Sequence, residues 1–173
     1  MHWIFGYGSL IWRPDFPYRQ AHKAVLRGWR RRFWQASPDH RGVPEAPGRV
    51  VTLVQDTRAE CWGVAFEVAG ADWPRVVAAL DRREQHGYAR HRIAVELAHG
   101  NAVDALTYIA GPGNPGYAGP APQRDIVTQI AHARGPSGSN RDYLARLART
   151  LAELGIVDEE VAHLEAAVAR LAP

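Results

Sequence analysis

The sequence predicts an α+β fold, on three observations. β-rich runs dominate residues 2–110 and are interrupted by one amphipathic helical stretch at 72–87. Residues 122–171 carry helical periodicity, so strands come first and helices mostly later. Gly, Pro, Asn and Asp cluster between the runs, as turns require.

His2 to Tyr7 reads as a strand ended by Gly8. Residues 21–36 read as one or two strands broken near Gly28, and 37–48 (SPDHRGVPEAPG) as a polar Pro/Gly-rich loop. Arg49 to Gln55 and Cys61 to Val68 read as the two arms of a hairpin. A helix follows, with Asp72 at its N-cap, Pro74 in its first turn and Gly87 at its end. Arg90–Leu97 and Val103–Ala110 form a second hairpin around His99-Gly100-Asn101, and 111–122 (GPGNPGYAGPAP) is a loop without regular structure. Helices are expected at 122–134, 140–154 and 157–171, the last with a stripe of Val157, Val161, Leu164, Val168 and Leu171.

A chain of 173 residues, 46% hydrophobic and 23% charged, suits one domain with a buried core, spanning 1–173. Cys61 is the one cysteine, which excludes an internal disulfide and points to a reducing compartment such as the cytoplasm. The N-terminal MHWIFGYGSLIW has neither a basic leader nor a long apolar region, so no targeting or membrane segment is expected. The charge is +3, carried by arginines apart from Lys23. Arg27, Arg30, Arg31 and Arg32, interleaved with Trp29 and Trp34, raise a nucleic-acid reading. The competing expectation is a strand whose alternate arginines face water while the tryptophans pack.

The 72–87 helix is the most informative segment. Its apolar positions Trp73, Val76, Val77 and Leu80 follow i, i+3, i+4, i+7, and the same stripe continues to Glu84. Burial and the negative end of the helix dipole both favour the neutral acid, which raises a carboxyl pKa toward the range useful for acid/base catalysis. A Glu neutralised by an inward arginine such as Arg49, or bent out to solvent, fits the same periodicity. In Gly6-Tyr7-Gly8-Ser9-Leu10 a strand enters a glycine-flexed turn whose successive N–H groups can cradle an anion. The Walker, dinucleotide and nucleophile-elbow patterns all fail there, because positions 7 and 11 hold Tyr and Ile and no Lys follows. An ordinary tight turn is the alternative. The 111–122 loop, with Tyr117 as its large side chain, has the length of a lid or of a plain crossover. His86 and His91 lack a metal-ligand spacing, and Cys61 sits in an apolar strand as a core residue.

These segments occur together in one family. FGYGSLIW (5–12), RGWRRRFWQ (27–35), PGRVVTLV (47–54), CWGVAFEV (61–68), LDRREQHGY (80–88), NPGYAGPAP (114–122) and GPSGSNRDYL (135–144) make the sequence resemble the ChaC-like, glutathione-specific γ-glutamylcyclotransferases along nearly its whole length. The resemblance implies a small mixed-strand β-barrel flanked by helices. It implies that Glu84 is the catalytic acid/base and that Tyr7, Gly8, Ser9 and Leu10 bind the γ-glutamyl moiety through backbone amides. Arg49, Tyr117 and Tyr143 match further family positions and join the substrate-binding set. The implied reaction converts glutathione to 5-oxoproline and cysteinylglycine, and calls for no metal and no cofactor. The expected partner is thus a small γ-glutamyl substrate, with no nucleic acid and no membrane, and the oligomeric state is left open. Another γ-glutamyl amine or amino acid as substrate, or a non-catalytic binding module on the same fold, remain alternatives. On this reading Gly8 is glycine either for a positive φ or for close approach of ligand to its backbone, and the Ser9 hydroxyl is secondary.

Overall fold

The computed structural model describes residues 1–171; the last two residues of the expected 1–173 domain lie outside the described residues. The chain divides into two compact units, one of residues 1–30 and 53–114, the other of 31–52 and 115 onward.

A closed barrel runs in the order β1-β3-β2-β4-β5, with β1, β4 and β5 in the first unit and the residues of β2 and β3 divided between the two. Its strands are β1 (His2–Gly6), β2 (Gln20–Ser37), β3 (Gly48–Val68), β4 (Ala89–Leu97) and β5 (Ala102–Ile109), and α1 (Trp73–Arg83) lies between β3 and β4 in sequence. β1 pairs antiparallel with β3, Gly6 opposite Val64, and parallel with β5, Ile4 opposite Leu106. β4 and β5 form the expected hairpin, turned by Gly100 at φ 93°. Ile4, Phe5, Val64, Phe66, Val95 and Ala105 of the strands are buried, as are Val76 and Leu80 of α1. Cys61 is buried among the core residues, as its apolar strand implied.

Two strand expectations need correction. Residues 49–68 are not a hairpin but part of one 21-residue strand. The polar stretch 56–60 reads as a turn, yet it contains neither Gly nor Pro. Its acids instead pair with the neighbouring strand, Asp56 with Arg30 and Glu60 with Arg27, so the ladder runs straight through. Likewise β2 does not break at Gly28, which takes φ 80° inside a continuous strand.

The second unit packs α2 (Gln123–His132), α3 (Asn140–Glu153) and α4 (Glu159–Ala169), with a short hairpin of β6 (Arg134–Gly135) and β7 (Gly138–Ser139) that the sequence did not announce. Ile126, Ile130, Leu144, Leu147, Leu151, Val161, Leu164 and Val168 form its core. The C-terminal helix is shorter than its stripe implied. Asp158 caps it by accepting from Val161 N–H, which leaves Val157 outside the helix and 88% exposed, and Leu171 beyond its end. Arg141 donates to the carbonyls of Ala131, Val168 and Leu171, joining the ends of α2 and α4.

The arginine-rich part of β2 also differs from expectation. Arg31 does not face water; it is 2% exposed and paired with Asp158, while Arg32 pairs with Glu160. A buried guanidinium is tolerable only with such a partner. With Arg27 and Arg30 bound to their own acids, the four arginines are matched by carboxylates of the same chain and form no open basic stripe.

Asn140 is fully buried and grips the backbone of Arg49 twice, its Oδ1 accepting from Arg49 N–H (2.6 Å) and its Nδ2 donating to Arg49 C=O (2.8 Å). Replacing it with Ala strands a buried donor and a buried acceptor. Asn140→Ala should therefore cost about 2–5 kcal/mol in urea unfolding, whereas an unchanged midpoint would mean that water replaces both bonds.

Candidate active site

β1 delivers the Tyr7–Leu10 turn. Tyr7 and Leu10 are buried anchors, and the Tyr7 hydroxyl donates to the Tyr108 carbonyl on β5 (2.6 Å). Gly8 and Ser9 between them are half-buried. A 3₁₀ turn, Ser9–Ile11, follows, closed by Ile11 N–H to Gly8 C=O. That bond begins one residue after Leu10, so the turn itself offers no acceptor to the N–H groups of Ser9 and Leu10. Gly8 has φ −127°, so the positive-φ reason for glycine falls. Gly6, two residues earlier, has a steric requirement of its own: a Cβ there would sit 2.9 Å from Leu10 Cβ.

Glu84 lies at the C-terminal end of α1, but the helix stops sooner than Gly87. Glu84 is the C-cap, φ −97° and ψ 32°, its N–H still bonded to Leu80 C=O. The reason lies one turn earlier. Asp81 holds Arg90 of β4 and accepts from the Tyr108 hydroxyl (2.8 Å), so the chain must leave the helical path to reach β4 within nine residues. Gly87 makes that turn at φ 86°, where a Cβ would meet Asn114 Oδ1 at 2.2 Å.

The Glu84 side chain is 16% exposed. Burial raises its pKa above the ordinary carboxylate value, and the positive Arg83 opposes that rise. Arg83 Nε stands 3.5 Å from Glu84 Oε1, at the outer limit of a hydrogen bond, while its Nη2 donates to the Ser9 hydroxyl (2.9 Å). Arginine is thus the neutralising residue the periodicity allowed for, but it is Arg83. Periodicity missed it because Arg83 belongs to the next face of the helix. Tyr108 and Asp81 were missed as well; no local pattern joins residues 27 positions apart.

The other three expected site residues belong to the second unit. Arg49 is 6% exposed; its Nε donates to Gln129 Oε1 (2.6 Å) and its Nη1 to the carbonyls of Phe33 and Gly119 (3.0 Å each). Burial lowers its pKa, with Asp125 opposing. Tyr143 is buried, accepts from Val51 N–H (3.3 Å), and carries the Arg41 guanidinium 5.6 Å above its ring. Tyr117 is half-buried against Trp34, ring centroids 6.5 Å apart. Its loop is more regular than expected. Ala36 N–H bonds Gly116 C=O, Ala118 N–H bonds Trp34 C=O, and Gln35 bridges Tyr117, so residues 116–118 run as a short extra strand along β2.

The sequence profile of the ChaC-like protein family matches residues 2–171. The chain belongs to the ChaC-like family. Relatives agree across nearly its full length. It is 44% identical to the human glutathione-specific gamma-glutamylcyclotransferase 1, covering 99% of this chain and 80% of that one. It is 42% identical to gamma-glutamylcyclotransferase 2-3 of Arabidopsis thaliana, covering 94% and 85%. Among solved structures, a yeast gamma-glutamyl cyclotransferase specific to glutathione superposes with TM-score 0.92 at 30% identity, over 98% of this chain and 96% of that one. A further gamma-glutamyl cyclotransferase, at 18% identity and TM-score 0.59, shares the fold. The family match agrees with the barrel-and-helix fold expected from the motifs. No helix of the described residues is long and apolar enough to cross a membrane, and among them no group of three or more His, Cys, Asp or Glu stands together as a metal site.

The raised pKa of Glu84 has a consequence for stability. A carboxyl whose folded pKa exceeds its unfolded value contributes stability below the unfolded pKa, and loses it as pH rises through the folded one. Glu84→Gln removes that loss. The variant should melt above the wild type at about pH 8, with the gap closing toward about pH 3, where the carboxyl is protonated in both states. Calorimetry at the two pH values checks this; a gap that fails to narrow on acidification would mean the carboxylate is not destabilised by burial.

Proposed function

We propose that this chain is a glutathione-specific γ-glutamylcyclotransferase in which Glu84 is the general acid/base. The observation that carries the reading is the mostly buried Glu84 carboxylate, with its raised pKa, linked through Arg83 to the Tyr7–Leu10 turn. The names of the human and yeast relatives support glutathione as substrate.

The substrate's α-amine is an ammonium ion at neutral pH and must lose a proton before it attacks. Glu84 takes that proton, and a carboxyl with a raised pKa is a better base for it than an exposed one. The freed nitrogen attacks the γ-carbonyl carbon of the same molecule and closes a five-membered ring. Nucleophile and electrophile are already tethered, so the enzyme's task is largely to fold and orient the chain. Negative charge grows on the carbonyl oxygen, and the backbone N–H groups of Ser9 and Leu10 are its candidate donors. The C–N bond to the cysteinyl nitrogen then breaks as Glu84 returns its proton to the departing amine, and the second proton shed by the ring nitrogen leaves that amine as an ammonium ion. The products are 5-oxoproline and cysteinylglycine, with no water consumed. Ser9 needs no nucleophilic role, since its hydroxyl is engaged by Arg83. Arg49, Tyr117 and Tyr143 stay in this reading as candidates for substrate binding.

Two measurements test the reading. Glu84→Gln keeps shape and loses the base, so kcat for 5-oxoproline release from glutathione should fall on the order of 10²–10⁴-fold in a folded protein. Wild-type turnover in that variant would remove Glu84 from the mechanism. Glutathione should also be preferred over γ-glutamyl-alanine in kcat/KM, because a longer leaving group supplies remote binding energy to the reacting bond. The reverse preference would replace glutathione by a shorter γ-glutamyl compound while leaving the cyclisation chemistry standing.

A further inference from the structure

We propose that Arg83 is a positioning residue for this reaction, holding the substrate-binding turn and the Glu84 carboxylate in fixed relation. The inference rests on the acid/base reading of Glu84 and adds to it what keeps turn and carboxylate together.

One guanidinium serves the whole 9–15 segment. Nη2 donates to Ser9 Oγ (2.9 Å), Nη1 to the carbonyls of Arg13 (2.6 Å) and Pro14 (3.3 Å), and Nη1 lies 3.5 Å from Asp15 Oδ2. The Nε edge is turned to Glu84. A planar fork reaches a hydroxyl, two carbonyls and two carboxylates at once; an ammonium on a flexible stem does not. One residue of the segment it grips lies in the left-handed region. Asp15 is the one non-glycine residue with positive φ (56°) among the described residues, and such a residue persists where its surroundings over-determine it. Arg13 Nε reinforces the same carboxylate at 2.6 Å. At 23% side-chain exposure, Arg83 is sheltered enough for these bonds to count.

The charged and titratable groups at this end of α1 are Arg13 and Asp15 from the turn, Asp81 and Arg82 from α1, His86 and Tyr88 from the segment that follows it, Arg90 from β4 and Tyr108 from β5. Asp81, Arg90 and Tyr108 are bound to one another, and Arg13 to Asp15. Arg83 is the group whose charge offsets the burial of Glu84.

The test is steady-state kinetics on glutathione across pH for wild type, Arg83→Met and Arg83→Lys, with Glu84→Gln as control. It is joined by ¹³C-NMR titration of the Glu84 carboxyl without substrate. Arg83→Met should raise KM roughly tenfold, about the worth of one charge-assisted hydrogen bond. It should also move the acid limb of the rate profile, and the NMR titration, to higher pH, because the cation that favours the carboxylate is gone. Arg83→Lys keeps the charge and loses the fork, so KM should rise with the acid limb close to its wild-type place. A folded Arg83→Met with wild-type KM and an unmoved titration overturns the inference; if Arg83→Met does not fold, wild-type KM in Arg83→Lys overturns it alone. Full activity in Glu84→Gln would instead overturn the acid/base reading and this inference with it. An inactive Glu84→Gln beside an unaltered Arg83→Met overturns only the present one.

Discussion

The barrel end that carries the candidate site depends on the absence of two Cβ atoms. A Cβ on Gly63 of β3 would fall 2.3 Å from the Gly6 carbonyl oxygen, and one on Gly6 would fall 2.9 Å from Leu10 Cβ. No side chain can be accommodated at such distances without moving backbone. The two glycines let β1 lie close against β3 and let the chain double back at once, so that Leu10 is buried beside the strand it has just left. That reversal brings Ser9 within reach of Arg83 and thereby to the end of α1, where Glu84 sits. A looser turn would leave the serine and the carboxylate on the same barrel without a common partner.

The end of α1 combines a cost with two restraints. Burial of Glu84 favours its protonated form, which works against stability at neutral pH and in favour of proton transfer. Arg83 supplies part of the missing solvation. Asp81, one turn earlier, fixes the helix to β4 and β5 through Arg90 and Tyr108, and burial together with that carboxylate pushes the Tyr108 hydroxyl well above its ordinary pKa. Tyr108 therefore stays a neutral donor to Asp81, and its carbonyl receives the Tyr7 hydroxyl. The Tyr7–Leu10 turn and the helix end thus share a support in β5.

The arginine-rich composition has a structural explanation. Arg27, Arg30, Arg31 and Arg32 along β2 each meet an acid of the chain, and Arg49 and Arg141 spend donors on side-chain or main-chain oxygens inside the second unit. Guanidinium forks suit these tasks because one group satisfies several carbonyls with fixed geometry. The 37–48 loop is held instead by main-chain contacts to the β6–β7 hairpin. His40 accepts Ser137 N–H on its carbonyl, and a Cβ on Gly135 would meet that carbonyl at 2.4 Å.

The sequence by itself determined the fold class, the order of most elements and the inward carboxylate. These follow from short-range rules: the period of apolar residues placed Glu84 on the stripe of Val76 and Leu80, and turn chemistry marked the 98–101 hairpin and Gly87. The family motifs extended that to the barrel. Only the tertiary structure decided the continuity of β3, because Asp56 and Glu60 look like turn residues until Arg30 and Arg27 stand beside them. It decided that Arg31 is buried, since its partner Asp158 is 127 residues away. It decided that Gly6 lies too close to Leu10 to carry a Cβ and that Arg83, off the apolar face, turns its guanidinium toward the Glu84 carboxyl. For β3 and Arg31 the deciding partner is distant in sequence, and local periodicity contains no information about which distant charge will arrive; for Gly6 and Arg83 the partner is near in sequence, but the path of the chain between them is not set by periodicity.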